Sequence, residues 1–274
     1  MEELYLRDDL ARAWSGADPF ERAAAVTGDV YRAVANRRTV RFETGGRAYF
    51  AKIHGGAGWG EILKNLLTLR LPVIGARNEF EACRHLAGAG VSAPAVAGFG
   101  ERGSSPARRF SFVVCDALDG RDSLEDVLEG WRVRPPSPAD KRALVRAVAA
   151  FAAELHAAGV IHRDFYVCHL LLDRKAWSSG RAELAVIDLH RARVYGRIPS
   201  RWLRRDLAAL LFSVLDAPLS RRDWLRFLAV YRGRDWRDVL REEGELWRAV
   251  HRRALALYRK GRRKGLVAAE RAGS

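Results

Sequence analysis

The chain has 274 residues, 49% of them hydrophobic, which is enough to bury the cores of two lobes. Its three cysteines (Cys83, Cys115 and Cys168) are too few and too scattered for a disulfide framework or a zinc site, and no apolar run could span a membrane. The first residues, MEELYLRDDLARAW, are acidic and mixed, so we expect no signal peptide and a cytoplasmic protein. The net charge of +15 predicts an anionic partner.

The first 115 residues predict a small nucleotide-binding lobe. Residues 1–28 are predicted to be a helical lead-in to three strands, and Gly45-Gly46 predicts the hairpin turn between the last two. Lys52, in AYFAKI, is the one inward-facing cation of the third strand, typical of a nucleotide-binding lysine. The predicted strands are Val30–Val34, Thr39–Thr44 and Arg47–Ile53.

A leucine-rich insert at residues 54–75 separates this strand from the next helix. It is predicted to pack on the small lobe, or to enter a lipid interface or contact an acceptor. The following string, NEFEACRHL (Asn78–Leu86), has helical spacing. Either Glu79 or Glu81 could pair with Lys52, and Glu79 is preferred.

The strand Phe110–Cys115 is predicted to lead into a hinge at Asp116–Gly120, whose backbone, including Asp116 and Leu118, would meet adenine. Residues 130–139 contain three prolines and predict a loop. The apolar run Leu144–His156 predicts a helix in front of the most informative segment of the chain.

That segment, VIHRDFYVCHLLL, is followed by an apolar strand that ends in an acid, LAVIDL. Phosphoryl transfer needs a carboxylate to orient the attacking hydroxyl, which fits Asp164 in the turn next to Arg163. It also needs an acid for the Mg²⁺ that bridges the phosphates, which fits Asp188. The order of lysine, helix acid, His-Arg-Asp and second acid predicts an α+β, protein-kinase-like bilobal fold that uses ATP and Mg²⁺, with a C-terminal catalytic lobe at residues 116–274.

Several features depart from protein kinases. The first turn lacks GxGxxG and carries Asn36, Arg37 and Arg38, so guanidinium groups are predicted to contact phosphate there. His169 stands where the second metal-ligating Asn is expected, so either one metal suffices or His169 meets phosphate or acceptor. Only a short segment separates Asp188 from Asp206, so we predict an enzyme without a phosphorylation-gated loop.

Two clusters concentrate the positive charge. The first follows Asp188, where an acceptor must approach, and predicts binding of phosphate or carboxylate groups. The second, Trp247–Lys264, resembles a basic amphipathic helix, for which attraction to anionic membrane lipids and plain packing are equally good interpretations. The predicted acceptor-binding arginines are Arg191, Arg193, Arg197, Arg201 and Arg204.

Four strings, KIHGGAGWGEILKNLL, LPVIGARNEF, HRDFYVCHLLLD and VIDLHRARV, carry a resemblance to lipopolysaccharide core heptose(I) kinases, which are related to the Kdo kinases. The resemblance implies transfer of the ATP γ-phosphate to the first heptose of the inner core attached to lipid A, at the cytoplasmic face of the inner membrane. It implies that Asp164 is the base, that Lys52 and Glu79 position phosphate and that Asp188 binds Mg²⁺. Asp206 would be a buried acid that braces the catalytic loop.

Other interpretations stay open. A kinase of the same fold could act on Kdo or on protein tyrosine, or the chain could be an inactive kinase-like module that binds anionic surfaces. A metalloenzyme built on His162, His169 and His190 is a remote alternative. No nucleic-acid partner is expected, and a lipid or protein partner could be needed for solubility.

Overall fold

The computed structural model describes residues 2–34, 37–55, 75–105 and 109–263. Most of the leucine-rich insert, Asn36 and Lys264 lie outside these ranges. The contacts divide the chain into two units, with Met1–Asp119 and Asp188–Ala192 in unit 1 and Gly120–Ile187 and Arg193–Ser274 in unit 2. The sequence predicts a boundary after Cys115, whereas the contacts end the first segment of unit 1 at Asp119 and add Asp188–Ala192 to it.

Unit 1 is built on a six-stranded antiparallel sheet with the order β1-β5-β6-β4-β3-β2. The hairpin between β3 and β4 turns at Gly45 and Gly46, whose φ angles of 56° and 73° suit residues without a Cβ. The three predicted strands are therefore confirmed, within a few residues at their ends. The strands are β1 (Glu2–Leu6), β2 (Asp29–Val34), β3 (Arg37–Thr44), β4 (Arg47–His54), β5 (Val96–Arg102) and β6 (Phe110–Asp116).

The predicted helical lead-in is wrong in its first residues. Residues Glu2–Leu6 form β1, which pairs with β5, a strand that the sequence reading did not identify. The strand that pairs with β1 is remote in sequence, so the local pattern of residues could not reveal that Glu2–Leu6 is a strand. Two short helices, α1 (Asp8–Ala13) and α2 (Pro19–Ala25), follow, and their Leu10 and Phe20 are buried in the core beneath the sheet.

Helix α3 (Arg77–Gly88) confirms the predicted helix. Its buried residues, Glu79, Phe80, Ala82, Cys83 and Leu86, recur at helical spacing and form one face. Phe80 stacks on Phe99 of β5, with 4.2 Å between the ring centroids. This packing fixes the first turn of α3 and thereby the position of the Glu79 carboxylate.

Unit 2 is mostly helical and carries two small sheets. The predicted loop at residues 130–139 is wrong at both ends, because α4 runs to Val133 and α5 begins at Pro138, where the first turn needs no backbone N–H from proline. The helices are α4 (Leu124–Val133), α5 (Pro138–Ala157), α6 (Arg174–Ser178), α7 (Ser200–Phe212), α8 (Arg221–Arg232) and α9 (Trp236–Arg263). The strands are β7 (Arg121–Ser123), β8 (Val160–Ile161), β9 (Leu170–Asp173), β10 (Leu184–Val186) and β11 (Arg193–Val194).

The basic C-terminal stretch is the second half of α9, and its apolar residues are packed inside unit 2. Trp247 and Val250 are buried, and Trp247 meets Trp224 and Tyr231 of α8 edge-on at 5.8 and 5.7 Å. The packed-helix interpretation therefore holds for these residues. Among the described helices, none is both long enough and apolar enough to cross a bilayer.

Candidate active site

Lys52 of unit 1 lies between two carboxylates. Along β4, Ala51 and Ile53 point into the core, so the alternation of the strand sends Lys52 to the opposite face. Its Nζ donates to Glu79 Oε1 and to Asp188 Oδ1, both at 2.7 Å. The preference for Glu79 over Glu81 agrees with this geometry, since Glu81 instead lies beside Arg77.

The electrostatics favour the charged forms of Lys52 and Asp188. Burial alone would lower the pKa of Lys52, but the charges of Glu79 and Asp188 outweigh it and raise the pKa. Burial would likewise raise the pKa of Asp188, yet hydrogen bonds and charge from His190 and Lys52 hold that pKa far below its usual range. Asp188 also has a left-handed φ of 61°, a conformation rare for a residue with a side chain.

Other cationic and imidazole groups surround Asp188. His190 Nδ1 lies 2.8 Å and Arg37 Nη2 3.7 Å from Asp188 Oδ1. Burial, together with the charges of Arg37, Lys52 and His190, lowers the pKa of His54 to about 3, so His54 stays neutral. Arg37 Nε and His54 Nε2 are buried and make no hydrogen bond within the described part of unit 1. Both atoms retain hydrogen-bonding capacity for a polar ligand.

The His-Arg-Asp segment of unit 2 forms a tight loop held by Asp206. The fully buried Asp206 carboxylate accepts the backbone N–H groups of His162 and Arg163 at 2.6 and 2.8 Å. These bonds support Arg163 in a left-handed conformation, with φ of 71°, and turn the chain sharply before Asp164. These contacts agree with the bracing role implied for Asp206, which stays a prediction.

The histidines of this loop are oriented by backbone carbonyl groups. His162 Nε2 donates to Ile187 O at 2.9 Å, and its Nδ1 accepts the Asp164 N–H at 3.3 Å. His169 Nδ1 donates to Asp164 O at 2.7 Å. The backbone of the loop therefore orients both imidazole rings.

Trp202 of α7 is a residue that sequence reasoning missed. The guanidinium groups of Arg163 and Arg205 lie 4.9 and 4.6 Å from its ring centroid, and that of Arg201 lies at 5.7 Å. A tryptophan face attracts cations, so the indole fixes Arg163 beside the catalytic loop. The run of arginines around the only Trp of the segment RIPSRWLRR was the available signal.

Comparison with known proteins decides the family. Residues 21–231 match the model described as "Lipopolysaccharide kinase (Kdo/WaaP) family". This chain belongs to that family. The predicted recognition is thus confirmed.

Named relatives cover nearly the whole chain of this family member. It is 51% identical over 263 residues to the lipopolysaccharide core heptose(I) kinase WaaP of Pseudomonas aeruginosa, covering 96% of this chain and 98% of that protein. It is 40% identical to the WaaP of Escherichia coli K12, covering 95% and 99%. A solved structure titled "WaaP in complex with acyl carrier protein" matches with a TM-score of 0.80 and 46% identity over 93% of this chain and 99% of that one. The predicted kinase-like α+β fold and kinase class are confirmed.

Three further residues, Arg37, Arg38 and Asp116, were predicted to contact the nucleotide beside the Lys52 cluster, which consists of Lys52, Glu79 and Asp188. Arg37 and Arg38 are neighbours in β3 and alternate in direction, so Arg37 reaches Asp188 while Arg38 donates to the carbonyl of Ala24. Arg7 donates to the two carboxylate oxygens of Asp116 at 2.6 and 2.9 Å, and the backbone N–H of Asp116 donates to Ala95 O. Of this predicted set, the structure brings Arg37 to the Lys52 cluster and leaves the Asp116 side chain in a structural role.

The predicted metal ligands and acceptor arginines are divided between the units. Asp188 and Arg191 belong to unit 1, and His169 with Arg193, Arg197, Arg201 and Arg204 belongs to unit 2. Within the described ranges, no group of three or more His, Cys, Asp or Glu residues could hold a metal ion by itself. An all-protein metal cage built on the three histidines finds no support there.

The Asp206 contacts predict a large effect on stability. Asp206→Ala would leave two buried backbone N–H groups without an acceptor, and we expect a loss of about 3 kcal/mol in the free energy of unfolding. Urea denaturation measures this loss. Asp216→Ala, at an exposed acid that accepts from Tyr258, is the control and should change stability by less than about 1 kcal/mol. Equal losses in the two variants would contradict the bracing role.

Proposed function

We propose that this chain transfers the γ-phosphate of ATP to heptose I of the lipopolysaccharide inner core. The observation that carries the proposal is the clamp of Lys52 between Glu79 and Asp188 at 2.7 Å, in a chain that is similar over nearly its whole length to named heptose(I) kinases. The contacts of Lys52 support phosphoryl transfer as the reaction type. The similarity to named heptose(I) kinases supports heptose as the acceptor sugar.

The residues of unit 1 fit a nucleotide triphosphate. Lys52 and Arg37 supply positive charge, and the buried Arg37 Nε and His54 Nε2 have no hydrogen-bond partner among the described residues. When bound, ATP supplies the transferable phosphoryl group. The hinge would contribute the Leu118 backbone, since the N–H groups of Asp116 and Ala117 already donate to Ala95 and Ala48.

Asp188 fits a magnesium ligand, because Mg²⁺ prefers carboxylate oxygen and the low pKa of Asp188 keeps this group ionised. Mg²⁺ would neutralise phosphate charge there. The imidazole of His169 suits Mg²⁺ less well than oxygen does, so we assign the essential metal contact to Asp188 and a phosphate or acceptor contact to His169.

Asp164 is assigned the base, and its task is to orient the acceptor hydroxyl and take its proton. The loop that carries Asp164 is fixed by Asp206 from within unit 2, and Arg163 is fixed by Trp202. A base held rigidly in this way lies ready to accept the proton, so positioning and basicity act together. Arg163 and Trp202 are positioning residues in this assignment.

An acceptor panel tests the reaction. We expect phosphate transfer from Mg-ATP to a core glycolipid that carries an unphosphorylated heptose I, and none to a glycolipid that ends at Kdo or to a tyrosine peptide. A radiolabelled phosphate assay measures each. Transfer to Kdo or to tyrosine, with the heptose acceptor inert, would replace the proposed acceptor. Absence of transfer to every acceptor would favour an inactive kinase-like module.

The location follows from the two substrates. ATP is available on the cytoplasmic side, and the acceptor is anchored by lipid A, so we propose peripheral association with the cytoplasmic face of the inner membrane. The net charge of +15 would attract anionic lipids to this protein. Co-sedimentation with phosphatidylglycerol vesicles that weakens as salt rises, and is absent with phosphatidylcholine, is the expected result.

An acyl carrier protein is proposed as a partner, because the solved WaaP structure is a complex with one. Unit 2 holds an apolar cavity of about 310 Å³, with Leu128, Val148 and Leu210 in its wall, that could take the acyl chain of such a partner. Val148→Trp would fill this space and is expected to abolish co-purification of the carrier protein, as measured by native mass spectrometry. Val133→Trp, at an 89% exposed position, is the matched control and should retain it. Loss in both variants, or in neither, would contradict this site.

A further inference from the structure

Helices α7 and α9 of unit 2 enclose a concave, basic surface, of which only Arg204 belongs to the predicted acceptor-binding residues. A cavity of about 480 Å³ lies between them, with three arginines in its wall. We call it the arginine groove. Its lining residues are Ser200, Arg204, Glu245, Leu246, Arg248, Ala249 and Arg252.

The arginines of the groove differ from those elsewhere on the same helix. In the first half of α9, Arg237 pairs with Asp235 and Arg241 pairs with Asp238. Arg204, Arg248 and Arg252 form no ion pair with any described residue. Glu245 is the one acid in the groove wall, so three guanidinium charges face one carboxylate. Like charges repel, and their accumulation around one cavity is typical of an anion site.

The local backbone helps to build the groove. Helix α9 is broken at Glu243, whose φ of −114° and ψ of 16° are not helical, and the Glu243 carboxylate is held by Arg232 and Arg234. The next residue, Gly244, has no side chain, and a Cβ there would lie 3.1 Å from Arg248 Nη1. Gly244 thus gives the Arg248 guanidinium the room to lie against the helix.

The groove adjoins the catalytic loop within unit 2. Arg205, next to Arg204 in α7, shares the ring of Trp202 with Arg163. Arg253, next to Arg252 in α9, has a pKa lowered by burial and by the charges of Arg205 and Arg204, while nearby Tyr166 raises it. Tyr166 is two residues after Asp164. Helix α7 therefore lines the groove through Ser200 and Arg204 and contacts the catalytic loop through Trp202 and Asp206.

We propose that the arginine groove binds anionic groups of the acceptor glycolipid, at least two phosphates or carboxylates close to the sugar that is phosphorylated. This rests on the proposed function, and it adds Arg248 and Arg252 of α9 to Arg204 as specificity-determining residues. A guanidinium group forms bidentate hydrogen bonds with a phosphate or carboxylate group. Three guanidinium groups around one cavity therefore select a multiply charged ligand over a neutral sugar.

The position of the groove favours the acceptor over other anionic partners. A flat membrane surface would meet convex, exposed arginines, whereas these line a cavity beside α7, the helix whose Asp206 holds the catalytic loop. An acidic carrier protein would need no proximity to the base. An acceptor needs both its charges and its hydroxyl to be held by the same unit, because that fixes the hydroxyl relative to Asp164.

The test compares Arg248→Gln/Arg252→Gln with Arg237→Gln/Arg241→Gln, which removes the same charge from the ion-paired half of α9. Phosphate transfer to a detergent-solubilised, heptose-bearing core glycolipid is measured at low ionic strength. The groove variant is expected to raise the KM for the acceptor roughly tenfold, with kcat and the KM for ATP unchanged, and the control to stay within twofold of the parent. Arg248→Lys/Arg252→Lys keeps the charge and should recover part of the affinity.

An acceptor stripped of its lipid A phosphates identifies the bound group. The difference in acceptor KM between the parent and the groove variant disappears if the groove binds phosphate and persists if it binds carboxylate. Both results support acceptor binding in the groove. An unchanged acceptor KM in the groove variant, or an equal rise in the control, overturns the inference while leaving the kinase function standing. A groove variant that loses only vesicle binding, or only its acyl carrier protein, also overturns it. A parent that transfers nothing to any acceptor defeats the proposed function itself.

Discussion

Replacing Asp164 by Asn is expected to lower kcat for heptose phosphorylation by about a thousandfold and to leave ATP binding intact. The reason is that an amide of the same shape cannot take the proton of the acceptor hydroxyl, and a positioned general base contributes roughly 10²–10⁴-fold. Lys52 and Arg37 of unit 1, the proposed nucleotide contacts, are untouched by this change. Steady-state kinetics with the core glycolipid measures kcat, and fluorescence titration with a nucleotide analogue measures binding.

Asp122→Asn is the control for this variant. Asp122 is a half-exposed acid of β7 in the same unit, paired with Arg174, and its loss should leave kcat within twofold of the parent. A kcat of Asp164→Asn within tenfold of the parent would contradict the assignment of Asp164 as base. Equal losses in both variants would point to a general effect of charge on unit 2.

Replacing Lys52 by Met is expected to lower kcat/KM for ATP by about 10²–10³-fold and to destabilise the protein by about 3 kcal/mol. The first effect comes from losing the cation that positions phosphate. The second arises because Glu79, 5% exposed, would remain buried without its cation. ATP-dependent kinetics and urea denaturation measure the two effects separately.

The matched control is Lys175→Met, at an exposed position on α6, for which no change in either quantity is expected. Lys52→Arg keeps the charge and should recover stability more than activity, because a guanidinium cannot reproduce the geometry of an ammonium shared by two carboxylates. Glu79→Gln/Lys52→Met should be more stable than Lys52→Met alone, since the stranded carboxylate is removed. Full activity of Lys52→Met would contradict the proposed role of Lys52 in positioning phosphate.

The short connection after Asp188 agrees with the prediction of an enzyme without a phosphorylation-gated loop. It forms a one-turn 3₁₀ helix at Leu189–Arg191 and strand β11 before α7 begins at Ser200. Arg163 already has the Trp202 ring as a partner, so it needs no phosphorylated residue to hold it. Constant activity limited by acceptor supply stays a prediction.

The parts of the fold that sequence could predict are those set by local patterns. The β3–β4 hairpin follows from Gly45-Gly46 and alternating apolar residues, and α3 follows from apolar residues at helical spacing. Strand β1 and its partner β5 could not be predicted, because pairing between residues about 95 positions apart leaves no local signal. The end of α4 was missed because Gly130 and the nearby prolines are loop formers, while the buried Trp131 stabilises the helix through packing.

The candidate site shows the same division. Lys52, Glu79, Asp164 and Asp188 could be proposed from sequence because kinases carry these residue types in this order. His190 as a partner of Asp188, and Trp202 as a partner of Arg163, depend on side chains that meet only after folding. The arginine groove is a third case, since α7 and α9 are separated in sequence and adjacent in unit 2.

The most direct test of the proposed reaction is mass spectrometry of a core glycolipid lacking heptose phosphate after incubation with the protein and Mg-ATP. We predict one added phosphate, located by fragmentation on heptose I, and none with Asp164→Asn. Phosphate on another sugar, or phosphate added equally by parent and Asp164→Asn, would contradict the account.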